Sequence, residues 1–158
     1  MKRAFISPSK GRLSLDEVFE DIKAYILEKP KFRYKLIIGT DSHLREDVCF
    51  VTAIIVHRIG KGARYYYRRI YKQNIIDLRQ RIFTETSLSL EIMDLLKPKL
   101  DRMKHLDIDI EVHVDIGEKG DTKELIKEVV GWVMGSGYTI KIKPEASGAS
   151  KVADKYTK

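Results

Sequence analysis

From Ile108 to Ile116 apolar and polar residues alternate without interruption. Ile108, Ile110, Val112, Val114 and Ile116 fall on one side, and Asp109, Glu111, His113 and Asp115 on the other. A period of two marks a β-strand with two unlike faces. Two other stretches read differently. Leu36-Ile37-Ile38, leading through Gly39-Thr40 to Asp41, and Val48 to Val56 are almost continuously apolar, as in central strands covered on both faces. Arg64 to Tyr71, with three consecutive tyrosines among arginines, reads as a more exposed strand. The connections at 44–47 and 59–62 are short enough for hairpin loops, so these three strands are expected to be antiparallel neighbours. Within Tyr65-Tyr66-Tyr67, alternation sends the middle ring opposite the other two, and at least one is expected in the core.

Helical periods fill the remainder. Ser14-Leu15-Asp16-Glu17 is a capping box, followed by Val18, Ile22, Tyr25 and Ile26 on one face and stopped by Lys29-Pro30. A second helix is expected from about Asp77, with Asp77 and Gln80 as a cap pair, and Lys97-Pro98 should end or kink it. Asp121 and Glu124 open a third, with Leu125, Ile126, Val129, Val130 and Val133 on one side and Gly135-Ser136-Gly137 at its end. Tyr138 to Ile142 makes a last strand, Pro144 breaks it, and a short helix is expected from about Ala149. After the first helix the order is β-β-β-α-β-α-β-α. A meander joined to βαβ crossovers requires an α/β fold with a mixed five-stranded sheet and helices packed on it. We read residues 1–158 as one domain, with a helical extension over 1–30 and a core over 34–158.

The 158 residues, 43% hydrophobic, suffice for one hydrophobic core. No run approaches the ~20 apolar residues of a membrane span, and the N-terminus lacks the apolar stretch of a signal peptide. Cys49 is the single cysteine, which excludes a disulfide scaffold and a cysteine-based zinc site and fits a cytoplasmic location. The net charge of +7 favours a polyanionic partner, of which nucleic acid is the commonest, although solubility alone also accounts for it.

Four carboxylates then stand out: Asp41 at the end of an apolar run, Glu85 on a helix, Asp115 closing a strand, and Asp154 near the end of the sequence. With about 100° per residue and Leu78 at zero, Ile82, Ile92, Met93, Leu96 and Leu100 all fall within about 60° of it. Glu85 falls at about −20°, within that apolar face, whereas Glu91 falls at about −140°, toward solvent. A glutamate aimed at a core needs a partner, either an arginine or a metal ion. Asp41 reads as a metal ligand or as a cap of the turn toward Leu44. Asp115 shares its strand face with His113, Glu111 and Asp109, and that face reads equally well as solvent-exposed. Asp154 also reads as a helix-surface residue. Lys119, Lys151, Lys155, Arg64, Arg68 and Arg69 are candidate phosphate contacts or solvated surface charges.

The order of elements resembles the ribonuclease H fold. More closely, the chain resembles the bacterial ribonuclease H-like family typified by the YkuK proteins. The segments that carry the likeness are Ile38-Gly39-Thr40-Asp41-Ser42, Thr84-Glu85-Thr86-Ser87-Leu88-Ser89, His113-Val114-Asp115-Ile116-Gly117, and Lys143-Pro144 through Ala149-Ser150-Lys151-Val152-Ala153-Asp154. They span nearly the whole chain. The resemblance implies a ribonuclease H-like domain with helices on both sheet faces and an extra N-terminal helix. It further implies that Asp41, Glu85, Asp115 and Asp154 hold two Mg²⁺ or Mn²⁺ ions. Ser42, His113, Lys119, Ser150 and Lys151 become candidates for contacting substrate or supporting the ligands, with a plain surface role open for His113. Two departures matter: Ser42 stands where ribonuclease H proper usually has glycine, and Asp41-Ser42-His43 replaces the Asp-x-Glu of the proofreading exonucleases.

The expected activity is therefore metal-dependent hydrolysis of phosphodiester bonds in RNA or DNA. The alternatives are a non-catalytic nucleic-acid-binding module on the same fold and a scaffold that uses the N-terminal helix.

Overall fold

The capping box forms as written. Ser14 Oγ accepts from the Glu17 N–H at 3.1 Å, and the Glu17 carboxylate accepts from the Ser14 N–H at 3.0 Å. Helix α1 (Leu15–Glu28) starts there and buries Val18, Phe19, Ile22, Tyr25 and Ile26. Ser14→Ala should cost about 1 kcal/mol of stability, measured by urea unfolding, because it leaves a first-turn N–H without its acceptor. The computed structural model describes residues 2–43, 48–103, 106–118 and 120–143. The expected loop at 44–47 and the expected helix from about residue 149 lie outside them.

The meander is present. Strands β3 (Tyr34–His43), β4 (Val48–Arg58) and β5 (Gly62–Lys72) pair antiparallel in sequence order. Helix α2 (Leu78–Asp101) begins at Asp77, whose side chain accepts from the Gln80 N–H at 2.8 Å. It crosses to β6 (Ile108–His113), which lies parallel to β3. A 3₁₀ turn (Lys123–Leu125) leads into α3 (Ile126–Gly135), and β7 (Thr139–Lys141) pairs parallel to β6.

Two expectations need correction. The sheet has seven strands rather than five, in the order β2-β1-β5-β4-β3-β6-β7. The additional pair, β1 (Phe5–Ser7) and β2 (Gly11–Leu13), is a hairpin added to the β5 edge, so the N-terminal extension is not purely helical. Strands of three residues are too short to display a period, and their turn is marked chiefly by Gly11, at a φ of 76°. Second, α2 runs past Pro98 to Asp101. Proline disrupts a helix by removing one N–H and crowding the carbonyl four residues earlier, and the helix continues for only three residues beyond it. The three described helices pack on one sheet face, and the expected fourth helix lies outside the described residues. Ile22, Ile26, Met93, Leu96, Val129 and Val133 join Leu36, Ile38, Ile54, Val56, Tyr66 and Val112 in one core cluster. The opposite face gathers smaller groups, among them Ile37, Ile55 and Tyr65.

The tyrosine triplet splits as alternation requires. Tyr66 is fully buried, and its hydroxyl bonds the carboxylate of Asp21, itself buried on α1. Lys10 at 3.2 Å and Arg64 at 3.4 Å neutralise that carboxylate. Burial pushes the Asp21 pKa up, but the Tyr66 bond and these cations hold it below its ordinary value.

Candidate functional site

The parallel register of β3 and β6 pairs Gly39 with His113. Asp41 lies two residues beyond Gly39 within β3, and Asp115 two residues beyond His113, past the end of β6, so the topology brings both to the same end of adjacent strands. Both are half-buried. Glu85 arrives from α2, where the helical period had placed it toward the sheet. It is 4% exposed, while Glu91 is exposed.

Burial pushes the Glu85 pKa up to about 8. Its hydrogen bond from Ser42 opposes that rise, the negative charges of Asp41 and Asp115 add to it, and Arg81 offsets part of it. The three carboxylates therefore share one electrostatic neighbourhood. Glu85 Oε2 is bonded by the Ser42 hydroxyl, whereas Oε1 is buried without a hydrogen-bond partner. Asp41 Oδ1 accepts from the Ser42 N–H at 2.9 Å. Lys143 places its ammonium 3.0 Å from Asp115. Lys143 is brought close where the chain passes Gly117: its N–H donates to the Ile116 carbonyl at 2.8 Å, and a Cβ on Gly117 would lie 3.0 Å from the Lys143 Cβ.

The donor set suits a hard divalent cation, which prefers carboxylate oxygens, and Glu85 Oε1 is a buried oxygen left over for one. Among the described residues, however, no three His, Cys, Asp or Glu side chains are gathered closely enough to hold an ion. The carboxylates repel one another, Ser42 bonds both Asp41 and Glu85, and Lys143 pairs with Asp115.

His113 is not a surface residue. It is 7% exposed, and its Nε2 lies 3.0 Å from Glu111 Oε1. Burial lowers its pKa, and the Glu111 contact counters only part of that shift. Glu111 is buried too and lies 3.4 Å from Lys35, so the inner half of this strand face is not open to solvent. Asp154, Lys119, Ser150, Lys151 and Lys155 lie outside the described residues. Of the remaining candidate phosphate contacts, Arg64 is tied to Asp21 and stacks over Tyr25, Arg68 stacks over Phe5, and Arg69 stacks over Tyr67.

Two residues of the site escaped the sequence reading. Arg81 precedes Glu85 by one helical turn, a spacing that puts both on one face, and that signal could have found it. Lys143 carries no such signal, because its approach depends on the path of the chain around Gly117.

Comparison with known proteins agrees with this architecture. The family model described as ribonuclease H-like matches residues 17–158. The uncharacterized protein YkuK of Bacillus subtilis (strain 168) is 36% identical over 168 aligned positions, covering 98% of this chain and 96% of that protein. The chain belongs to the ribonuclease H-like family.

Proposed function

We propose that the chain is a metal-dependent nuclease that hydrolyses phosphodiester bonds in RNA or DNA. The observation that carries this reading is Glu85, a buried carboxyl whose Oε1 has no hydrogen-bond partner and whose proton affinity is raised by its burial and by the charges of Asp41 and Asp115. A site that strains to remain uncharged on its own is relieved by a cation. Asp41, Glu85 and Asp115 would hold Mg²⁺ or Mn²⁺, with Asp154 as a fourth ligand and two ions in all. Bound there, such ions would activate the attacking water and stabilise the leaving oxygen.

The protein's own part is positioning. Asp41 is held within β3 where that strand pairs with β4, Asp115 follows the end of β6, and Glu85 is placed by the packing of α2 on the sheet. Lys143, beside Asp115, offers a positive charge to a substrate phosphate. A net charge of +7 serves the same polyanion at longer range. No described helix is long and apolar enough to cross a membrane.

The absence of a three-residue cage among the described residues favours a second reading, a nucleic-acid-binding module without catalysis. One experiment separates the two. Mn²⁺ is titrated calorimetrically into the full chain, which is then incubated with labelled single- and double-stranded RNA and DNA. The nuclease reading expects saturable Mn²⁺ binding and product that EDTA abolishes. Nucleic-acid binding that survives EDTA, with no product from any substrate, would establish the module instead.

A further inference from the structure

The two oxygens of Glu85 have unlike surroundings, and the reason lies one helical turn away. Ser42 Oγ bonds Oε2, while Oε1 is buried and unpartnered. Arg81 Nε donates to Ser42 Oγ at 3.1 Å, and Arg81 Nη2 donates to the Ser42 carbonyl at 3.0 Å. A guanidinium only donates. Ser42 Oγ therefore accepts from Arg81 and has its single proton left for Glu85. With Glu85 ionised, as a ligand to a cation must be, its oxygens only accept, and the chain of bonds runs from Arg81 to Ser42 to Glu85 Oε2.

We propose that Arg81 is a positioning residue which, acting through Ser42, holds Glu85 so that Oε1 is the oxygen presented to a divalent cation shared with Asp41 and Asp115. The inference rests on the metal-binding reading above and extends it to two residues outside the carboxylate set. The second Arg81 bond has its own effect. By clasping the Ser42 carbonyl it ties α2 to the end of β3, one residue from Asp41, and so sets the separation of two ligands that come from different elements. Lysine could supply the charge but not the paired donors, because its ammonium is a point donor on a flexible stem. Partners that orient metal ligands typically govern affinity by ten- to hundredfold.

Calorimetric titration of Mn²⁺ into wild type, Ser42→Ala, Arg81→Lys and the double variant tests the relay. Each single change should weaken Mn²⁺ binding about ten- to hundredfold, and the double variant should lose no more than the worse single, since both act along one path. Wild-type affinity in Arg81→Lys, or losses that multiply in the double variant, would overturn the proposal. A second readout needs no metal. The ¹³C resonance of the Glu85 side-chain carboxyl in the metal-free protein should move in Arg81→Lys and stay in place in Arg79→Lys, which alters a guanidinium of α2 that pairs instead with Glu128. If wild type binds no Mn²⁺, the metal reading fails, and this resonance alone decides the relay: an unmoved signal in Arg81→Lys overturns it.

Discussion

Asp41→Asn is expected to abolish cleavage, with a loss on the order of 10³-fold or more, and to leave the fold intact. A ligand to a catalytic cation contributes several kcal/mol, and ~1.4 kcal/mol is a factor of ten in rate. Asparagine keeps the shape of aspartate and an Oδ1 that can still accept from the Ser42 N–H, a bond of 2.9 Å in the wild-type chain. Removing the charge also relieves Glu85, whose pKa Asp41 helps to raise. The variant should therefore melt no lower than wild type while losing both Mn²⁺ binding and product formation. Full activity in Asp41→Asn would remove the catalytic assignment. A collapsed circular-dichroism spectrum would instead make Asp41 a structural residue.

The second large effect is a fall in stability with rising pH in the absence of metal. Burial keeps a proton on Glu85 up to about pH 8 in the folded protein, whereas the unfolded chain releases it near 4.5, the ordinary value for a glutamate. Between those values the native state binds more protons than the unfolded state, so stability decreases as pH increases. The contribution is fully present below about 4.5 and is lost progressively as the pH climbs toward 8. The slope due to one such group is at most about 1.4 kcal/mol per pH unit. Urea unfolding of wild type and Glu85→Gln across pH 5 to 8.5 isolates it, because the other titrating groups cancel in the difference. The gap should shift in favour of the glutamine variant as pH rises, and saturating Mn²⁺ should stabilise wild type alone. A gap that stays constant with pH would show that Glu85 is already charged in the metal-free fold.

How far the sequence reached depends on the length of the pattern. Glu85 was placed on the apolar face of α2 by counting residues around a 24-residue helix, and the structure buries it there with Ile82, Ile92, Met93 and Leu96. The β3–β4–β5 meander followed from strands of ten or eleven residues with clear apolar runs. The β1–β2 hairpin escaped because each strand has three residues. The face of β6 that carries Glu111 and His113 was ambiguous because an alternating strand shows that its two faces differ, not what covers the polar one. Arg81 was legible in spacing but could not be distinguished from any other helix-surface arginine until Ser42 was seen beneath it.

The sequence by itself determined the longer strands and helices, the chain order of a ribonuclease H-like domain, and the inward aim of Glu85. These follow from short-range periodicity and capping, which act between residues close in the chain. Only the tertiary structure decided that β6 lies parallel to β3 in the register that brings Asp41 and Asp115 to the same end of the sheet. It also decided that the described helices share one face, that Lys143 reaches Asp115, and that Arg81 bonds Ser42. Each of those joins residues dozens of positions apart, and such encounters are fixed by how whole elements pack rather than by any local pattern of side chains.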